Sequence, residues 1–210
     1  MIGYLPVLIA LHAHAIPGVV ANYVAHAWLA AIALSWYFVL RRRFPIGGFD
    51  QRQLRPWYLL GLALVAVNAV GTLASPPSAG VRLPAMPTLV AELVFVAFVV
   101  GPTEEVLFRG LIQTALNGSI RSSISLRGRS LRWGTVVAAV VFGLFHLINL
   151  AYQPLGDTVV QIGMAVVVGL LFGVIYDRTR NLIGASLAHS LADFSGTAIP
   201  LVAWCYYLGR

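Results

Sequence analysis

The sequence predicts an all-α protein, a polytopic transmembrane helical bundle of six to seven spans. Its 210 residues are 59% hydrophobic and 10% charged, with a mean hydropathy of +0.84, whereas about a quarter of the residues in a soluble domain are charged. All fourteen basic residues are arginines, which lie in short clusters between long apolar runs. This layout is typical of a membrane protein. It excludes a disordered chain and a nucleic-acid-binding domain, and the single cysteine, Cys205, excludes a disulfide-stapled module.

Six apolar runs are long enough to cross about 30 Å of hydrocarbon, which takes roughly 20 residues. In chain order they are residues 21–40, 57–73, 89–116, 133–151, 159–176 and 182–208. Residues 2–16 are also apolar but contain proline and two histidines, so they are either a short seventh span or an interfacial segment. The stretch 118–132 is rich in serine and arginine, which indicates a mobile connector.

The positions of the arginines predict the orientation of the spans. Eleven of the fourteen lie in the connectors 41–55, 118–132 and 177–181, whereas the alternate connectors hold only Arg82. Short cytoplasmic loops carry an excess of basic residues. We therefore expect an integral, multi-pass membrane protein whose arginine-rich loops face the cytoplasm.

A first group of ionisable residues lies inside the third span, where charge is costly and indicates a functional site. The Gly-Pro pair at 101–102 is expected to interrupt the helix, so that Glu104 and Glu105 begin a new one, where free amides stabilise carboxylates. Glu105 and Arg109 have the i, i+4 spacing of a helical ion pair. Glu104 is rotated from Glu105 by about 100° and is predicted to be free to act. A purely structural charge cluster is the alternative.

Two further groups lie on later spans. His146 follows Gly143, a residue that permits close approach of another backbone, and a lone histidine in an apolar helix is often a packing residue. His189 and Asp193 share one helix face, so the acid can orient the imidazole, although such a pair also joins helices. Three such groups on three separate spans together favour a catalytic site in the bundle interior over three unrelated structural contacts.

These residues resemble a known family. Glu-Glu-x-x-x-Arg at 104–109, Phe-x-x-x-His at 142–146 and His-x-x-x-Asp at 189–193 are similar to the three signature motifs of the CPBP intramembrane proteases (CAAX protease and bacteriocin-processing, or Abi, family), which include the type II CAAX prenyl endopeptidases. The resemblance divides the chain into N-terminal transmembrane helices at 1–87 and a catalytic helical core at 88–210. Asp193 stands where prenyl endopeptidases carry asparagine. A prokaryotic cell membrane is the expected location.

The resemblance implies hydrolysis of a peptide bond inside the membrane by an activated water. Glu104 would be the general base, and His146 would help to hold and polarise the water. His189 and Asp193 would support the oxyanion or the geometry of the site, and Glu105 with Arg109 would form a structural pair.

A metal ion is a separate question. Glu104, His146 and His189 offer one oxygen and two nitrogen ligands, a set similar to a catalytic Zn²⁺ site with an open position. A metal-free glutamate mechanism uses the same residues, and their spacing does not separate the two possibilities.

Two other functions remain open at this point. One is a non-catalytic membrane immunity or scaffold protein of the same fold, and the other is a small transporter with Glu104 and Glu105 as an ion site. The partners we expect are the lipid bilayer and a peptide or protein substrate with a membrane-associated segment, and no nucleic acid. The small-x-x-x-small pair of Gly169 and Gly173 predicts helix packing within the bundle, with dimerisation as the alternative.

Overall fold

The computed structural model describes residues 18–42, 46–48, 53–74, 85–126, 128–151 and 153–208. It confirms the prediction of an all-α bundle, since six helices account for most of this part of the chain. They are α1 (Gly18–Leu40), α2 (Arg55–Ala74), α3 (Met86–Ser119), α4 (Trp133–Phe145, continued by a 3₁₀ segment His146–Ala151), α5 (Leu155–Thr179) and α6 (Leu182–Leu208). The proposed seventh span at residues 2–16 lies outside the described residues.

Five of these helices, α1 to α5, are long and apolar enough to cross a membrane. Their candidate spans are 18 to 34 residues long, and most residues in the apolar part of each span are not buried inside the protein. Exposed apolar side chains on such helices face lipid in a bilayer. Helix α6 is 27 residues long but is not one of the five, so its crossing of the membrane stays a prediction.

Helix α3 runs without a break through the Gly-Pro pair at 101–102, so the predicted interruption is wrong. Two π-helical segments, Val96–Val100 and Val106–Gln113, flank the turn that carries both glutamates. Proline lacks an amide hydrogen and its ring clashes with the carbonyl four residues earlier. The π turn, with its i to i+5 hydrogen bonds, accommodates this without ending the helix. The glutamates therefore lie in a helix interior, and free N-terminal amides do not stabilise them.

A short antiparallel hairpin, β1 (Ser123–Leu126) and β2 (Arg129–Arg132), connects α3 to α4. Ile124 pairs with Leu131 in its register. Gly128 in the turn has a φ of 75°, a left-handed conformation that glycine adopts without steric cost. The prediction of a mobile connector did not anticipate this hairpin.

The main core lies where α1, α2, α3, α5 and α6 meet, around the buried side chain of Trp57. The indole packs so closely on α6 that a Cβ at Gly184 would overlap its Cδ1 atom. Its Nε1 donates a hydrogen bond of 3.0 Å to Oγ1 of Thr179, at the end of α5. The start of α6 is thereby fixed against α2 and α5, which positions the later turns that carry the site.

Helices α4 and α5 pack against each other through glycines. A Cβ at Gly169 would lie 2.8 Å from Cδ1 of Phe142, and one at Gly173 would lie 2.7 Å from Cγ2 of Thr135. A Cβ at Gly143 would lie 2.9 Å from the carbonyl oxygen of Ile162. The interpretation of these glycines as packing residues within the bundle is confirmed.

Candidate active site

The three motif groups, predicted from separate spans, come together in the bundle interior. Helix α3 supplies the two glutamates, α6 supplies His189 and Asp193, and His146 stands at the end of α4. Glu104 and Glu105 are 5% and 0% exposed, and His189 is 8% exposed. Ionisable groups in such surroundings require partners, because an unpaired buried charge is costly.

Glu105 and Arg109 form the predicted pair. Nε of Arg109 donates to Oε2 of Glu105 at 3.0 Å, and both side chains are fully buried. The guanidinium carbon lies 4.9 Å from the ring centroid of Phe142 and 5.8 Å from that of Phe172. These aromatic faces stabilise the cation, whose Nη1 and Nη2 atoms have no hydrogen-bond partner among the described residues.

The second oxygen of Glu105 binds the third motif. Nδ1 of His189 lies 2.9 Å from Oε1 of Glu105. Glu105 is therefore fully engaged, with one oxygen on Arg109 of its own helix and the other on α6. The sequence predicted the first of these contacts and not the second.

Nε2 of His189 faces two further carboxylates, Asp193 Oδ2 at 3.5 Å and Glu104 Oε2 at 3.7 Å. The predicted pairing of His189 with Asp193 is thus present. An imidazole with one proton donates to only one acceptor, and the protonated ring donates from both nitrogens. Three carboxylates therefore surround the two ring nitrogens of His189.

The prediction that Glu104 is free is wrong, because an imidazole faces each of its oxygens. Nε2 of His26 lies 3.4 Å from Oε1, and Nε2 of His189 lies 3.7 Å from Oε2. The rotation of about 100° between neighbouring helix positions does not separate Glu104 from Glu105 here, since the ring of His189 reaches both. No acid lies near His26 in the sequence, which favours an interfacial or packing residue, and its contact with Glu104 corrects that interpretation.

His146 stands where α4 changes into a 3₁₀ segment. Its Nδ1 lies 3.0 Å from the carbonyl oxygen of Phe142, and a hydrogen bond from Nδ1–H leaves Nε2 as the acceptor. The Phe142 ring contacts both histidines edge-on, at centroid distances of 5.2 Å to His146 and 5.9 Å to His189. Phe142 therefore links the second motif to the third.

The residues do not assemble the zinc site that the resemblance left open. Within the described part of the chain, no three His, Cys, Asp or Glu side chains are grouped to hold a metal ion. Both nitrogens of His189 face carboxylate oxygens, so the ring directs no lone pair to a cation shared with His146 and Glu104.

Comparison with known proteins identifies a family for this chain. A family model described as Rce1-like, type II CAAX prenyl endopeptidase, matches residues 86–195, slightly more than half of the chain, and this range contains all three motifs. No curated protein and no solved structure matches the chain.

Proposed function

The chain belongs to the Rce1-like family of type II CAAX prenyl endopeptidases, and from this premise we propose that it is an intramembrane endopeptidase that activates water with Glu104. The family implies CAAX-type intramembrane protease activity in general, and the five apolar helices make the chain an integral membrane protein. One observation carries the assignment of the base: the Glu104 carboxylate is buried between two imidazoles, beside a second carboxylate that is fully paired.

Glu104 suits the role of base better than its neighbour. Both oxygens of Glu105 are engaged at 2.9 and 3.0 Å, so abstracting a proton would break a buried ion pair. The contacts of Glu104, at 3.4 and 3.7 Å, are longer than good hydrogen bonds. Its lone pairs remain available to a water molecule, as general base catalysis requires.

The reaction we propose is direct hydrolysis. Glu104 takes a proton from water, whose other hydrogen is accepted by Nε2 of His146, as the water oxygen bonds to the scissile carbonyl carbon. The resulting oxyanion accepts a hydrogen bond from the Nε2–H of the protonated His189 ring. When the tetrahedral intermediate collapses, the C–N bond breaks and the proton held by Glu104 passes to the leaving amine. Asp193 orients His189 throughout. No step passes through a metal ion.

The orientation and the substrate are part of the same proposal. We place the arginine-rich connectors, including the exposed Arg129 and Arg132 of the hairpin, on the cytoplasmic side of a prokaryotic cell membrane, in accordance with the positive-inside rule. The substrate is a peptide or protein with a membrane-associated segment, because a buried site among lipid-facing helices is reached from the bilayer.

The transporter alternative is less well supported. A transported ion would have to bind carboxylate oxygens that are not held by other side chains. Both oxygens of Glu105 are held, by Arg109 and His189. A non-catalytic scaffold protein does not require Glu104 as a base, so the Glu104→Gln variant described below also tests this alternative.

The experiment compares wild type with Glu104→Gln in proteoliposomes, using a library of transmembrane and prenylated C-terminal peptides. Glu92→Gln is the matched control, since Glu92 is a half-buried carboxylate on the same helix. We expect wild type and the control to cleave a subset of peptides, and Glu104→Gln to lose activity at least ~100-fold, within the range attributed to a general base. Equal cleavage by Glu104→Gln would remove Glu104 as the base. An inactive wild type would favour the scaffold.

A further inference from the structure

We propose that His26, on the N-terminal helix α1, is a positioning residue that holds the Glu104 carboxylate for catalysis. This inference rests on the proposed function. His26 lies outside residues 86–195, which the family model matches, and outside the three motifs. Its Nε2 lies 3.4 Å from Oε1 of Glu104.

The position of His26 is set by the packing of α1. Four buried residues, each four positions after the last, form a stripe on this helix: Ala25, Leu29, Ala33 and Tyr37. Such spacing keeps the side chains on one face, and this face packs against the bundle. Ala25 and Leu29 contact Leu107, a residue of α3, as well as Phe145. His26 follows directly after Ala25, at the edge of the stripe, where its ring reaches the glutamate.

An aromatic contact orients the imidazole. The His26 ring packs edge-on against Phe95 of α3, with centroids 5.4 Å apart and planes at 86°, a favourable arrangement for aromatic rings. The His26 and Glu104 side chains are 12% and 6% exposed, so water competes little for either. The direction of Nε2 is therefore fixed by packing on both sides of the contact.

Glu104 needs such a partner because its side chain is flexible. A glutamate has three rotatable bonds, and His189 alone approaches only Oε2. A second imidazole at Oε1 restrains the plane of the carboxylate from the opposite side. An error of about 1 Å in the placement of a catalytic group can cost ~100-fold in rate, so His26 is expected to affect kcat more than KM.

The test compares His26→Gln with His26→Leu in the peptide assay. Glutamine keeps an N–H donor near the position of Nε2, whereas leucine keeps the apolar bulk alone. Trp28→Ala is the control, because Trp28 is 53% exposed on the same helix and belongs to no part of the site. We expect His26→Leu to lower kcat about 10- to 100-fold with little change in KM, His26→Gln to retain most of the rate, and Trp28→Ala to match wild type. A packing role predicts the reverse order of the two His26 variants and would overturn the proposal.

A second measurement does not depend on activity. Unfolding in mixed micelles of wild type, His26→Leu, Glu104→Gln and the double variant gives the coupling between the two residues. Non-additive losses support the contact even if the protein cleaves nothing, in which case only the proposed function fails. Additive losses, or an active enzyme whose kcat is the same in wild type and His26→Leu, would overturn the positioning role while leaving Glu104 as the base.

Discussion

Nδ1 of His189 lies 2.9 Å from Oε1 of Glu105, and this buried contact joins two motifs whose residues are 84 positions apart in the chain. The same carboxylate binds Arg109 through its other oxygen. Glu105 therefore fixes the rotation of α3 relative to α6. The placement of Glu104 beside the same histidine depends on this rotation.

Replacing Glu105 with leucine should strongly destabilise the protein. The change leaves Arg109 buried without its carboxylate and His189 without an acceptor, and breaking a buried pair in this way costs about 3–5 kcal/mol. Glu105→Gln should cost less, because its amide oxygen still accepts one hydrogen bond. The free energy of unfolding in mixed micelles measures both. Negligible losses for both leucine and glutamine would show that the carboxylate serves only to fill space.

Asp177 is the centre of a second polar cluster. The sequence did not single it out, because it lies at the end of a predicted span. Its Oδ1 accepts hydrogen bonds from Nδ2 of Asn117 at 2.9 Å and Nε2 of Gln113 at 3.0 Å, and its Oδ2 accepts one from Oγ1 of Thr135. Gln113 and Thr135 are fully buried. The carboxylate thus joins α3, α4 and α5 at the end near the hairpin.

Asp177→Asn should therefore destabilise the bundle by about 2–3 kcal/mol, since hydrogen bonds to a charged acceptor are worth roughly 1.5–3 kcal/mol and an amide group would face donors. Asp157→Asn provides the control, because Asp157 is exposed at the first turn of α5. The two variants can be compared by their unfolding midpoints. Similar midpoints would contradict the structural importance of the Asp177 cluster.

Gly143 and Gly163 give a matched pair on the two helices of the α4–α5 contact. A Cβ at Gly143 would lie 2.9 Å from the carbonyl oxygen of Ile162, whereas one at Gly163 would have no atom within 4 Å. Gly143→Ala should cost about 1–3 kcal/mol by overpacking. Gly163→Ala should stabilise the helix by up to ~1 kcal/mol, because alanine loses less backbone entropy. The free energies of unfolding of the two variants test this, and a change of the same sign in both would contradict the close approach of the helices.

Contacts within one helix were predictable from the sequence, because spacing alone determines them. The pairs Glu105–Arg109 and His189–Asp193 were both predicted from i, i+4 spacing and are both present. The limits of the helices were also predicted to within a few residues, because a span of hydrocarbon fixes the length of an apolar run.

Contacts between helices were not predictable, because they depend on rotation and axial offset that no local pattern encodes. The approach of His189 to Glu105 is one example. His26 is the other: no acid lies near it in sequence, and its distance from Glu104 is decided by the packing of α1. The π segments on either side of residues 101–105 likewise arise from how a proline is accommodated in a continuous helix, and composition alone favoured a break.

Chelation should leave peptide cleavage unchanged. The two nitrogens of His189 face Glu105, Glu104 and Asp193, and no three-ligand set is formed among the residues that the structure describes. A tight-binding chelator in the proteoliposome assay should therefore leave kcat within about twofold of the untreated value, well below the losses of about 10- to 100-fold that follow when metal sites are perturbed. Metal analysis of the active, chelator-treated protein should find far less than one ion per chain, and a zinc-dependent protease in the same vesicles confirms that the chelator works. Loss of activity that stoichiometric Zn²⁺ restores would contradict this prediction and would require His146 and His189 to rearrange around the ion.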